Sequence, residues 1–257
     1  MLPEKIYFPY NYFTALIGFG LNPELQSRIV FEQSGKIAQI LENNHDAVGL
    51  IPSLEILSHR ELLISKTFGI TFDEQIAISY YYFKPREDNI TEIKLSGDIS
   101  INEEILTKII FKEKFGLDIQ VALSDKPLEL GSADYIMAGN ANFKEELLEK
   151  SFSITDQVCD LIELPYVNFL LASKNEILLR HMNNAMGSID KNIQDNAGKV
   201  MKPLLQNDFL YEYFMANIGS VYFKLNDDDL KGLDELLKLP FLHLLSEDIP
   251  EPKFIGM

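Results

Sequence analysis

Apolar positions along the chain form short runs of strand length, separated by stretches with a helical period. Ile6–Tyr10 and Arg28–Glu32 predict strands. Ser34 then opens a stretch in which Ile37, Ile40 and Leu41 recur at i, i+3 and i+4, one buried face of a helix running to about Asn43 with Ser34 as its N-cap. Ala47–Ile51 is a short buried run that stops at Pro52-Ser53, and Glu61–Thr71, Gln75–Phe83 and Ile90–Leu95 are rich in the β-branched and aromatic residues of strands. In Tyr80-Tyr81-Tyr82-Phe83, strand alternation puts half of the rings in a core.

The clearest helix signal follows. Ser100 and Glu103 have capping-box spacing, Ile105, Ile109 and Ile110 give an apolar face, and Gly116 marks the stop. Ile119–Ala122, Ala133–Ala138 and Leu164–Ala172 predict further strands. Asn175–Gln206 predicts helix broken near Gly187 or Gly198, and Asn207–Phe223 and Asp227–Leu237 complete a helical C-terminus. This βα rhythm indicates mainly parallel strands covered by helices, and in such folds ligands gather beyond the carboxyl ends of strands. The junctions at Pro9–Phe13, Ile51–Leu54 and Gly97–Glu103 are therefore where a site is expected.

Composition narrows the function. The 257 residues are 46% hydrophobic and 24% charged, enough apolar surface for a folded chain, and the net charge of −16 supplies no overall basic face for phosphate contacts. A nucleic-acid partner is thus disfavoured. No run approaches the roughly 18 unbroken apolar residues of a membrane span, and Ile6–Leu21 lacks the continuous core and cleavage site of a signal peptide. The chain reads as cytoplasmic. Cys159 stands alone, so no intrachain disulfide or cysteine-based zinc site is expected, and burial is the expected role for its thiol.

Other motifs have plain explanations. Asn226-Asp227-Asp228-Asp229 has consecutive acids where a calcium loop alternates them, and reads as a helix N-terminus. Gly18-Phe19-Gly20 lacks the third glycine of a dinucleotide fingerprint, since Pro23 stands there, and reads as a turn. His45, His59, His181 and His243 are scattered, and no metal is expected. There is no nucleophile elbow. Pattern alone assigns no catalytic constellation.

The order of segments resembles the futalosine-route menaquinone-biosynthesis family that contains chorismate dehydratase. Asp46-Ala47-Val48-Gly49-Leu50-Ile51-Pro52-Ser53 matches the family's Asp-x-Ala-Leu-Ile-Pro-Ser. Phe8-Pro9-Tyr10-Asn11 stands for Ser-Tyr-Leu-Asn, keeping Asn11. Ser96-Gly97-Asp98-Ile99-Ser100-Ile101-Asn102-Glu103 stands for Asp-x-x-Ser-x-Thr-Ser, with Asn102-Glu103 replacing Thr-Ser. Ala133–Asn140 resembles Ala-Asp-x-Ala-Leu-x-Ile-Gly-Asp with Asn140 for the last acid, and Leu164–Phe169 resembles Leu-Pro-Phe-Val-Phe-Ala.

The resemblance implies an α/β, two-lobed type II periplasmic-binding-protein-like fold, with a mixed sheet in each lobe and a helical C-terminus. Lobe one is expected at 1–93 plus 170–257 and lobe two at 94–169, joined near Lys94 and Phe169. It further implies a lyase converting chorismate to 3-[(1-carboxyvinyl)oxy]benzoate without a cofactor, its partner a small anionic carboxylate. Asn11 would act at the reacting ring, and Ser53, Ser100, Asn102, Tyr10 and Asn140 would bind substrate. No base is identifiable. Tyr10, Tyr12 and Tyr166 also suit ring stacking in the alternative, a diverged non-catalytic solute-binding protein on the same scaffold. Glu103 is the departure that matters: two like charges ~4 Å apart cost about 4 kcal/mol at an effective dielectric of 20. Either it turns back to cap its own helix or it is protonated and works as an acid, and the spacing from Ser100 favours capping.

Overall fold

The computed structural model describes residues 2–73, 76–85, 89–126, 128–205 and 207–256. The chain opens with β1 (Lys5–Pro9), α1 (Tyr12–Gly20), α2 (Pro23–Gln26), β2 (Ile29–Glu32), α3 (Ser34–Glu42), β3 (Ala47–Pro52), a 3-10 turn at Ser53–Leu57, and β4 (Leu63–Phe72). It continues through β5 (Ser79–Tyr82), β6 (Glu92–Gly97), α4 (Ile101–Phe115), β7 (Gln120–Leu123), β8 (Tyr135–Ala138), α5 (Glu145–Leu148), β9 (Phe152–Ser153) and α6 (Ile154–Ile162). Then come β10 (Tyr166–Ser173), α7 (Glu176–Ala185), α8 (Ile189–Leu204), α9 (Asp208–Asn217), β11 (Val221–Lys224), α10 (Asp227–Leu242) and β12 (Lys253–Ile255).

Two mixed sheets organise these elements. The first runs β11-β4-β10-β3-β1-β2 with β12 also on β4, and the second runs β7-β6-β8-β5-β9. The parallel pattern holds at β1, β2 and β3 and at β6, β7 and β8, whereas β10 is antiparallel to both β3 and β4, and β5 to both β8 and β9. Each sheet with its helices forms a lobe. Lys94 lies inside β6 and Phe169 inside β10, so the chain changes sheets elsewhere than expected, between Phe72 and Ser79 and between Ser153 and Tyr166. The reason is pairing: β5 joins β8 through the register Ser79↔Ala138 to Tyr82↔Tyr135, which carries it into the second sheet.

Local signals set several boundaries. Ser100 and Glu103 form the expected capping box on α4, which ends at Gly116 in the left-handed region (φ 67). Asn226 and Asp229 form another on α10, with Asp227, Asp228 and Asp229 at the positive end of the helix. Among the described residues, no group of metal-ligating side chains is found. Helix α7 stops at Ala185, just before Gly187, while Gly198 is carried inside α8; the expected end at Gln206 lies outside the described residues.

Three expectations are corrected. Gly18-Phe19-Gly20 is the last turn of α1, because Phe13, Leu16 and Ile17 anchor that helix on the core. Residues 207–223 are not one helix: α9 ends at Asn217, and the alternating burial of Val221–Lys224 makes a strand paired with β4. All three of Tyr80, Tyr81 and Tyr82 are buried, since β5 lies between two strands and is covered on both faces. Their hydroxyls are satisfied by the Ala77 N–H (2.9 Å), Thr107 Oγ1 (3.0 Å) and Asn142 Oδ1 (2.9 Å). The expected strand start at Gln75 lies outside the described residues. None of the described helices is long and apolar enough to cross a membrane.

Phe13 ties α1 to the first sheet, meeting Phe72 edge-on at 5.0 Å and stacking on Phe214 at 5.4 Å. This fixes the strand-to-helix turn at Tyr10-Asn11, one wall of the site below.

Candidate functional site between the sheets

The carboxyl ends of four parallel strands face one another across the lobes. In the first lobe, Phe8 pairs with Phe31 and Pro9 with Glu32, so Tyr10, Phe31 and Glu32 emerge side by side. In the second, Gly97 pairs with Ala138, which sets Asp98 beside Gly139. The cleft they enclose has a volume of about 610 Å³. Gly97 and Gly139 have φ of 87° and 94°, and a Cβ on Gly97 would run into the Ala138 carbonyl, so bare backbone is required at this wall.

The helix N-termini that look into or under the cleft are all filled by side chains of the protein. Asn11 caps α1: its Oδ1 accepts from the Thr14 N–H (2.9 Å), and its own N–H donates to Thr14 Oγ1 (3.3 Å). The Tyr12 N–H donates to Asn140 Oδ1 from the other lobe (3.0 Å). Gln33, not Ser34, holds the N-cap position of α3 and makes no capping bond; Asp98 of the second lobe supplies it, its Oδ1 accepting from the Ser34 N–H at 3.0 Å. Ser34 Oγ donates to the Asp98 carbonyl at 3.2 Å. At the 3-10 turn, the Leu54 N–H donates to Asn102 Oδ1 (3.0 Å), while Asn102 Nδ2 donates to Tyr166 Oη and the Asn168 carbonyl, both at 3.0 Å.

Glu103 completes the set. Its Oε2 accepts from the Ser100 N–H (2.9 Å) and Oγ (2.6 Å), and its Oε1 accepts from Ser79 Oγ (2.7 Å). Burial pushes this carboxyl above its ordinary value, while the bonds from Ser100 and Ser79 pull it back. Burial also raises the Asp98 carboxyl; the Ser34 hydrogen bonds oppose that rise, and the nearby Glu32 charge adds to it.

The residues singled out from sequence therefore separate into two groups. Tyr10 and Asn140 line the cleft, while Asn11, next to Tyr10, is buried as the cap of α1, its Nδ2 without a hydrogen-bond partner among the described residues. Ser53, Ser100 and Asn102 are buried and engaged: Ser53 Oγ donates to the Val167 carbonyl at 2.5 Å, Ser100 caps α4, and Asn102 ties the lobes. Of Tyr10, Tyr12 and Tyr166, only Tyr10 presents its ring to solvent, at 68% exposure. Tyr12 packs edge-on against Phe143 at 5.2 Å, and Tyr166 is buried. Burial pushes the Cys159 thiol up to about 12, which leaves it a packed residue.

Sequence reasoning missed Phe31, Glu32, Asp98 and Asn142. The first two follow from the rule that parallel strand ends carry sites, applied to β2. Asn142 holds the Gly139 turn by donating from Nδ2 to the carbonyls of Ile78, Met137 and Gly139. Its role depends on three backbone segments meeting, and no local pattern announces it.

No protein-family model matches the chain, and no curated protein matches it in sequence. Solved structures do match in fold. The alkanesulfonate-binding protein SsuA from Xanthomonas axonopodis pv. citri, bound to MOPS, aligns with a TM-score of 0.63 at 10% identity over 100% of both chains. Protein AF1704 from Archaeoglobus fulgidus aligns with a TM-score of 0.62 at 12% identity, covering 94% of this chain and 97% of that one. The Candida albicans CA3427 gene product, described as having the generic periplasmic binding protein fold, aligns with a TM-score of 0.53 at 13% identity over 96% and 92% of the two chains. The chain has the two-lobed periplasmic-binding-protein fold.

Proposed function

We propose that the protein binds a small molecule in the cleft between its two sheets, as a binding protein rather than a chorismate dehydratase. The observation that carries this reading is the spending of the hydroxyls and amides that would hold a carboxylate. Ser53 and Ser100 are buried in bonds to the protein, and the Glu103 carboxylate occupies the N-terminus of α4. A substrate anion at that helix end would meet a buried carboxylate instead of free N–H groups. The fold supports the binding role, since SsuA is an alkanesulfonate-binding protein by name. An anionic ligand of that kind, such as the carboxylate the family resemblance implies, would have to displace Asn140 or Asp98 from the helix ends they fill.

The lyase reading keeps one supporting observation: Asn11, the neighbour of the cleft residue Tyr10, has no hydrogen-bond partner for its Nδ2 among the described residues. In that reading Asn11 would hydrogen-bond the leaving hydroxyl while a ring proton is lost, water departs and the ring becomes aromatic. One experiment separates the two. Purified protein is incubated with chorismate, the aromatic enol-ether product is followed by liquid chromatography against an enzyme-free blank, and binding is followed by calorimetry. The binding reading expects no product above blank. Product that disappears in Asn11→Ala would establish the lyase.

A further inference from the structure

We propose that the ligand of this cleft is a small organic ammonium ion carried on an apolar or aromatic body, held between Tyr10 and Phe31 on one side and Glu32 and Asp98 on the other. The proposal rests on the reading of the cleft as the ligand site and assigns the charge and shape of what fills it.

Three separate features of the site agree. Hydrogen bonding comes first. An anion needs donors, and the N–H groups of Tyr12, Ser34, Leu54 and Ser100 already donate to Asn140, Asp98, Asn102 and Glu103. Acceptors are in surplus: Asp98 uses Oδ1 on Ser34, and Glu32 uses Oε1 on the Gln33 N–H at 2.9 Å. The second carboxylate oxygen of each is left for a donor on the ligand.

Charge comes second. Glu32 and Asp98 are the charged side chains among the described lining residues, with no lysine, arginine or histidine there to balance them. One carboxylate comes from each lobe, so a cation between them would remove a like-charge repulsion and join the lobes at once. The effect of Glu32 in raising the Asp98 carboxyl agrees with that repulsion.

The third feature is the aromatic pair. Tyr10 and Phe31 meet edge-to-face with ring centroids 5.6 Å apart and an interplanar angle of 88°. They are 68% and 45% exposed; Phe31 lies in β2, paired with β1, and Tyr10 directly follows β1. Two rings with free faces beside two carboxylates provide cation–π contact together with ion pairing. Gly97 and Gly139 line the same cleft and add no charge to it.

The test is a matched series on one ring: benzylamine, benzyl alcohol and benzoate, each titrated into the isotope-labelled protein while the amide signals of Tyr10, Phe31, Glu32, Asp98 and Gly139 are followed by NMR. Benzylamine is expected to shift these signals saturably, benzyl alcohol to bind more weakly, and benzoate to leave them unmoved. Glu32→Gln, at a half-buried side chain, should weaken benzylamine about tenfold by removing one charge partner, and should leave benzyl alcohol as it was. Benzoate binding at these amides as tightly as benzylamine would overturn the ammonium assignment while keeping the cleft as the site. Benzylamine binding that ignores Glu32→Gln would overturn it too. If no member of the series moves these signals, the cleft reading and the ligand class fall together.

Discussion

At the scale of single residues, Glu103 shows how a feature at odds with a family pattern becomes intelligible. A glutamate where the family carries a hydroxyl would repel an anionic substrate, yet here it closes a capping box and takes a further bond from Ser79. Its carboxyl is nonetheless raised from 4.5, because burial outweighs those bonds. A folded-state value above the unfolded one means that the folded protein holds the proton more tightly. The associated stability is fully present below the unfolded value and is lost as pH rises through the raised one. Urea unfolding of the wild type and Glu103→Ala between pH 4 and pH 8 should therefore show the wild-type advantage largest at pH 4 and shrinking toward pH 8. An advantage that grows with pH would mean that the hydrogen bonds outweigh burial. The capping box itself was legible because it needs only a serine and a glutamate three residues apart. The Ser79 contact was not, since it reaches from another strand.

At the scale of elements, what was legible was what is local. The strands β1 and β3 and the helix α4 follow from apolar period and end signals within their own segments, and α3 follows from its apolar period, though not from its expected Ser34 cap. The direction of β10 does not, because antiparallel pairing to both β3 and β4 is set by partners distant in sequence. Strand β11 escaped because four residues after a helix give too short an alternation to outweigh the helical context. The bonds that cap one lobe's helices from the other join residues 128, 64 and 48 positions apart, at Tyr12–Asn140, Ser34–Asp98 and Leu54–Asn102. Asn102 was picked out as a substrate-binding residue because it stands at a helix start. Its three bonds to the first lobe give it a structural task. Asn102→Ala should lower stability by about 2–3 kcal/mol in urea unfolding, through loss of those bonds and the buried Leu54 N–H left without an acceptor. A change below about 0.5 kcal/mol, typical of an ordinary surface position, would remove Asn102 from the account.

At the scale of the whole molecule, these bonds imply a cleft held shut by the protein itself. Asp98 and Asn140 reach from the second lobe to the N-termini of α3 and α1, positions where a ligand's acceptor groups would otherwise sit. The protein's own side chains thus join the lobes across the cleft, and opening it would release the Ser34–Asp98 and Tyr12–Asn140 contacts, with Leu54–Asn102 a further bond between the lobes. Solution X-ray scattering of the wild type and the double variant Asp98→Ala/Asn140→Ala tests this most directly. The wild type should have a radius of gyration near the roughly 18 Å of a compact chain of this length, and the double variant a larger one with its circular dichroism spectrum unchanged. Equal radii for the two proteins, or an already expanded wild type, would contradict a cleft clasped by its own side chains.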